Sequence, residues 1–238
     1  MAQRGQAVPG HPAGRPVGGL VAPLPQRHGL SDDAYEAVKR SIMDHTIAPD
    51  ARLSIDGLAR DLNISQTPVR EAMARLEADG LVTKAALKGY SASPVLAERE
   101  LHDLYGLRLL LEPWAAAEAA AHLDETAAEQ LTAEMGTLTD APEGSDYDRY
   151  KALAAHDARF HDLLLATAGN EAVRQAHERT HCHLHLFRLY YASGIGGEAL
   201  REHRRIADAV LARDAAAAHD AMTAHLVASR DRLLVAYS

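Results

Sequence analysis

The sequence predicts a mainly α-helical chain, with an N-terminal winged helix-turn-helix followed by an all-helical bundle of about six helices. Three observations carry that prediction. Two short amphipathic helical patterns, joined by a turn of about three residues, lie within residues 54–82. A hairpin pattern with strands over 81–84 and 89–93 follows directly. After Pro94 the helical period persists, alanine becomes frequent, and no alternating strand pattern interrupts it.

Residues 1–28 are rich in glycine and proline, carry Arg4, Arg15 and Arg27, and have no acid and no apolar run of the secretory type. A disordered leader is expected there, with a basic arm on DNA as the alternative. A first helix is expected over 32–44, capped by Ser31, with Tyr35, Val38 and Ile42 inward, then a turn around Pro49. Ser54 is a good N-cap for the next helix, whose Leu58, Ala59 and Leu62 share a face. Asn63 stands where a left-handed residue would end it. Ser65 is the expected cap of the following helix, with Pro68 in its first turn. Val69, Ala72, Met73 and Leu76 form that helix's buried stripe, and Gly80 ends it.

The polar face of this second helix presents Gln66, Thr67 and Arg70, with Ala74 on the same side. Such side chains can reach base edges and phosphates, Gln toward adenine and Arg toward guanine or a phosphate oxygen. An ordinary solvated helix face is the other reading of the same residues. The hairpin shifts the balance, because Lys84 and Lys88 flank a tip that can enter a minor groove or touch phosphate. Arg52 is a further candidate phosphate contact, or a solvated surface charge.

The segment TPVREAMARLEADGLV followed by KGY resembles the winged helix-turn-helix of GntR-family transcription regulators, over about residues 31–94. The resemblance implies that the helix carrying TPVRE reads DNA through Thr67 and Arg70, and that Gly89 belongs to the wing. Two positions depart from the family pattern. Gln66 stands where Arg is common, and Asp56 where many members carry a basic or other polar residue, which bears on the operator being read.

The back half reads as helices at about 98–123, 125–138, 147–168, 171–191, 198–212 and 215–235, with breaks at 140–145, 169, 193–197 and near Asp214. In the first of these, Leu104, Leu107, Leu111 and Ala115 are expected inward, with a kink before Pro113. The front domain is thus 29–94 and the back domain 95–238. Net charge is −8. It is unevenly distributed, since residues 1–93 hold 11 Lys+Arg against 10 Asp+Glu and the remainder 14 against 23. Attraction to DNA must therefore come from a local patch, with a homodimer doubling the contacts. No apolar run of about 18 residues calls for a membrane. A single cysteine, Cys182, fits a reducing cytoplasm.

Eleven of the fourteen histidines follow residue 100. Asp157 and His161 share a helical face, and His203 and His225 lie on two later helices that could bring their imidazoles to it. Three nitrogens and a carboxylate oxygen suit Zn²⁺, Ni²⁺ or another borderline divalent ion. His177, His181 and His185 form a rival stripe beside Cys182 and His183, and spacing alone does not choose between the two, nor between either and hydrogen-bonded core histidines.

The segments LRLLLEPWAA, DARFH, AGN and EHRRIADAVLARDAAAAHDAMTAHL resemble the FCD effector domain of the FadR-like GntR branch, over about 98–235. The resemblance implies a divalent metal on Asp157, His161, His203 and His225, with open positions for the carboxylate of a small organic acid. It further implies Arg108 and Asn170 as effector contacts and leaves His181 at the border of the cavity. From the residues alone, Arg108 could equally pair with Glu112, and Asn170 could cap the next helix. The function expected is a ligand-responsive regulator, of the repressor type, on a pseudo-palindromic double-stranded operator. A regulator that senses the metal itself is one alternative. A metal hydrolase is another, opposed by the lack of any HExxH or GxSxG segment.

Overall fold

A computed structural model of the chain describes residues 29–140, 147–190 and 196–237. The expected leader, and most of the expected breaks at 140–145 and 193–197, lie outside these. The front domain runs α1 (Leu30–Met43), β1 (Arg52–Leu53), α2 (Ile55–Asp61), α3 (Gln66–Ala78), β2 (Val82–Ala85) and β3 (Gly89–Ala92). The strands form an antiparallel sheet in the order β1-β3-β2. After a connecting segment come α4 (Glu98–His122), α5 (Glu125–Gly136), α6 (Tyr147–Thr167), α7 (Glu171–Glu178), α8 (Cys182–Tyr190), α9 (Gly196–Leu211) and α10 (Ala215–Leu234).

Local chemistry explains most boundaries in the front domain. Ser54 accepts the Gly57 N–H and caps α2. Asn63 takes a φ of 53° and Gly80 a φ of 71°, so each helix of the motif ends in left-handed backbone. Val69, Ala72, Met73 and Leu76 are buried as the period predicts. Three expectations need correction. α1 begins at Leu30 with Gly29 as N-cap, whose N–H is held by the Asp32 carboxylate, so Ser31 lies inside the helix. Ser65 occupies the N-cap of α3, but its hydroxyl makes no capping bond. The turn expected up to Arg52 gives way there to β1, which is two residues long and too short to show a period.

In the back domain the described residues contain seven helices, where about six were expected. The predicted helix over 171–191 is two, because His181 adopts a φ of 47° between α7 and α8. That break dissolves the His177–His181–His185 stripe, which required an unbroken helix. The inward face of α4 also differs from expectation. It is Leu101, Tyr105, Arg108, Glu112 and the alanines at 115, 116, 119 and 120, while Leu107 is 37% and Leu110 75% exposed. Tyr105 donates or accepts a 2.7 Å bond with Ser229, tying α4 to α10. Pro113 is buried within α4, which continues to His122.

One connected apolar core runs from Ala34 in α1 to Leu233 in α10. At the junction of the domains, Asp44 accepts the Tyr147 N–H at 2.6 Å, and Lys151 reaches Glu36 at 2.6 Å. Arg188 of α8 donates to the carbonyls of Ser93 (2.8 Å) and Pro94 (3.0 Å), and its own carbonyl meets His45 Nε2. These bonds fasten α8 to the segment that leads out of the wing.

Candidate nucleic-acid interface and metal centre

The residues expected to read DNA gather on one side of the front domain. Arg52, Arg70, Lys84, Lys88 and Gly89 line a single open cleft of about 690 Å³ between the start of α2, the recognition helix and the wing. Gln66, Thr67 and Ala74 are exposed on the same helix. Arg70 donates to Gln66 Oε1 at 3.0 Å, a one-turn contact that orients both side chains outward. Lys84 lies 5.3 Å above the Tyr90 ring, which steers its ammonium along the wing. Leu87, unremarked in the sequence, stands fully exposed at the wing tip with a φ of 64°. An apolar side chain in that position suits insertion between base steps.

Four side chains from three helices converge in the back domain. Donor atoms of Asp157 and His161 on α6, His203 on α9 and His225 on α10 all lie within 4.8 Å of one another. His161, His203 and His225 are buried, and the Asp157 carboxylate is nearly so. Three have their outward atom held by a hydrogen bond, and His161 Nδ1 lies at ion-pair distance from Glu112. Glu112 Oε2 lies 2.5 Å from His161 Nδ1, and Glu202 Oε2 2.8 Å from His225 Nδ1. His203 Nδ1 meets His156 Nε2 at 3.2 Å, and His183 Nδ1 meets Asp157 Oδ2 at 2.5 Å. Phe160 stacks on His203 with ring centroids 4.2 Å apart, which locks that imidazole.

What remains points inward. His161 Nε2 and His203 Nε2 are buried without a hydrogen-bond partner, and both face Asp157 Oδ1, at 3.8 and 3.4 Å. Burial disfavours the charged imidazole, pushing His161 down to about 4 despite Glu112 beside it, and His203 well below its usual range. Burial works against ionised Asp157, but the His183 hydrogen bond and charge prevail and hold it well below the usual carboxylate range. Two imidazoles held neutral, those of His161 and His203, beside an ionised carboxylate are donors that a borderline divalent ion requires, and His225 adds a third nitrogen. The residues present fit such an ion.

A matrix of charge supports this cluster. Glu112 binds the buried Arg108 guanidinium at 2.5 Å and His177 Nε2 at 3.0 Å, besides its contact with His161. Burial alone would raise Glu112; Arg108 and the histidines outweigh it. Glu134 anchors His156 at 2.8 Å and Arg159 at 2.8 Å.

Comparison with known proteins follows the same division of the chain. Residues 30–90 match the family model described as "Bacterial regulatory proteins, gntR family", and residues 103–228 match the FCD domain. The chain belongs to the GntR family, with an FCD domain. Among relatives, the HTH-type transcriptional repressor GlaR of Escherichia coli is 30% identical over 82% of this chain and 91% of its own length. An uncharacterised HTH-type regulator of Bacillus subtilis, YdhC, is 28% identical over 80% of this chain and 85% of its own. The E. coli McbR/YncC structure shares the fold, with a TM-score of 0.66 at 21% identity, over 88% of this chain and 99% of that one. This GntR-family chain is accordingly a DNA-binding transcription regulator, and its relatives are regulators rather than enzymes. Among the described residues, no helix is long and apolar enough to cross a membrane.

The effector residues named from the sequence fare differently in this GntR fold. Arg108 is buried and bidentate to Glu112, so it touches the cluster only through that carboxylate. Asn170 is exposed and its side chain caps α7 by accepting the Val173 N–H at 3.3 Å, away from the four ligands. His181 lines a cavity of about 440 Å³ together with His177, Cys182 and His183. Sequence reasoning passed over Glu112, Glu202, His156 and His183 as braces of the ligands. Only Glu112 left a signal, as the fourth residue after Arg108 in a helix.

Proposed function

We propose that this regulator holds a divalent metal, of the zinc or nickel kind, on Asp157, His161, His203 and His225. We further propose that it responds to a small carboxylate effector and acts as a homodimeric repressor on a pseudo-palindromic operator. The observation that supports this most is the pair of buried, partnerless Nε2 atoms of His161 and His203 facing one carboxylate oxygen. Orphaned buried nitrogens cost about 1–3 kcal/mol each unless something binds them. A bound ion would supply a Lewis-acidic seat for a carboxylate oxygen. The chain's own part is to keep His161 and His203 neutral by burial and to orient the imidazoles through Glu112, His156 and Glu202. Several relatives are named as repressors, which supports that direction of control. Apolar surface on the outer side of α4, at Leu107 and Leu110, supports a twofold contact.

An effector can shift DNA binding only by its differential affinity for two arrangements of the dimer. The test is metal analysis of the dialysed protein, followed by operator binding with and without a panel of small carboxylic acids. One ion per chain, lost in His161→Ala, and operator release by an acid are expected. An unchanged metal content in that variant overturns the assignment. Release by metal alone, with no acid present, makes the ion itself the signal.

A further inference from the structure

Beside the four-residue cluster lies a second group of donors, of which the proposed function uses only His183 Nδ1. His177 at the end of α7, and Cys182 and His183 at the start of α8, place their donor atoms within 4.8 Å of one another. The left-handed turn at His181 makes this possible, because it folds α8 back so that residues five and six positions apart meet. Cys182 Sγ sits 3.5 Å from His177 Nε2. A tetrahedral zinc-class ion with ordinary Zn–S and Zn–N bonds separates its sulfur and nitrogen ligands by roughly 3.5 Å. Glu112 Oε1, 3.0 Å from the same His177 nitrogen, orients that imidazole.

We propose that His177, Cys182 and His183 form a second, thiolate-containing site for a thiophilic divalent ion, distinct from the Asp157 centre. On binding, the protons shared among the thiol and the two imidazoles leave to solvent, and the ion takes their place. His183 is already braced for the role. Its Nδ1 is held by Asp157 Oδ2, which leaves Nε2 as the nitrogen for a metal. All three side chains line the 440 Å³ cavity, which gives an ion a route from solvent. Of the cavity's cations, Arg159 pairs with Glu134, Arg174 with Asp162 and Lys151 with Glu36, and Lys39 donates to the Tyr35 hydroxyl. Soft thiolate with imidazole favours zinc-class ions over hard ones.

Because Cys182 is the sole cysteine of the chain, a sulfur–metal signal can come from nowhere else. The probe is Co²⁺ added to the full-length, metal-stripped, reduced protein, followed by absorption spectroscopy. A thiolate-to-cobalt charge-transfer band is expected in the near ultraviolet, with ligand-field bands from both centres. Cys182→Ser should remove the charge-transfer band and keep the ligand-field absorption of the Asp157 centre. His225→Ala should keep the charge-transfer band and lose only the ligand-field absorption of the Asp157 centre, so that failure of either centre is read separately. His177→Ala should weaken the cobalt affinity reported by the charge-transfer band at least tenfold. A wild-type protein saturated with cobalt but lacking that band overturns the proposal, whatever becomes of the variants. A band of unchanged affinity in His177→Ala overturns it too, since cobalt would then be held by the thiol alone.

Discussion

Glu112 concentrates the energetics of the back domain in one carboxylate. It lies buried between Arg108, His161 and His177, and its loss would strand a buried guanidinium. Glu112→Ala should cost about 3–5 kcal/mol in urea unfolding, several times the cost of cutting an exposed pair such as Arg40–Asp148. His161 gives a pH signature in the metal-stripped protein. Its folded-state value of about 4 lies below the ordinary 6.5, so between those limits the unfolded chain binds the extra proton. Stability should therefore fall as pH drops from 6.5 toward 4, by an amount on the order of 3 kcal/mol, and His161→Ala should flatten that slope in a series of melts. On the DNA side, Arg70→Ala should weaken specific operator binding by about 1–3 kcal/mol with little change in melting temperature, because Arg70 is exposed. The exposure of Gln66 and Arg70 and the convergence of Asp157, His161, His203 and His225 were legible because helical spacing or family pattern marks them. Their braces were not, since Glu112 and His177 are 65 positions apart and meet only through packing.

Elements were legible where capping and period agree. Ser54, Asn63 and Gly80 fix the ends of the two motif helices as their chemistry dictates. Asn63→Gly should be neutral or slightly stabilising, and Asn63→Val should cost about 1–2 kcal/mol, because a branched residue resists φ near 53°. Lys84 and Lys88 line the cleft beside α3, so as phosphate contacts Lys84→Ala and Lys88→Ala should weaken binding to all sequences alike and lower the salt slope by about one unit each. The division between α7 and α8 could not be read. The segment keeps a helical period through His181, and neither glycine nor proline flags the left-handed turn. α4 misled for a different reason. Its leucines suggested the buried stripe, but the face that turns inward carries Arg108 and Glu112, whose burial becomes affordable only when each satisfies the other.

At the scale of the molecule, α8 connects the His/Asp cluster of the back domain to the end of the wing. It begins at Cys182 and His183, beside the Asp157–His161–His203–His225 cluster, and Arg188 near its end bonds the carbonyls of Ser93 and Pro94 that follow the wing. His185, between them, packs at Gly80, where an added Cβ would lie 3.1 Å from its Nε2. Gly80→Ala would meet that contact in backbone of φ 71°, and should cost about 1–2 kcal/mol in stability while also weakening the operator response to effector. Traffic through such a joint runs in both directions. If occupancy around α6 and α9 alters grip on the operator by some factor, then operator DNA must alter that occupancy by the same factor. Calorimetric titration of the back-domain ligand, with the protein free and then saturated with its DNA, would expose the matching change, and a variant cut at Arg188 should lose both halves of it together.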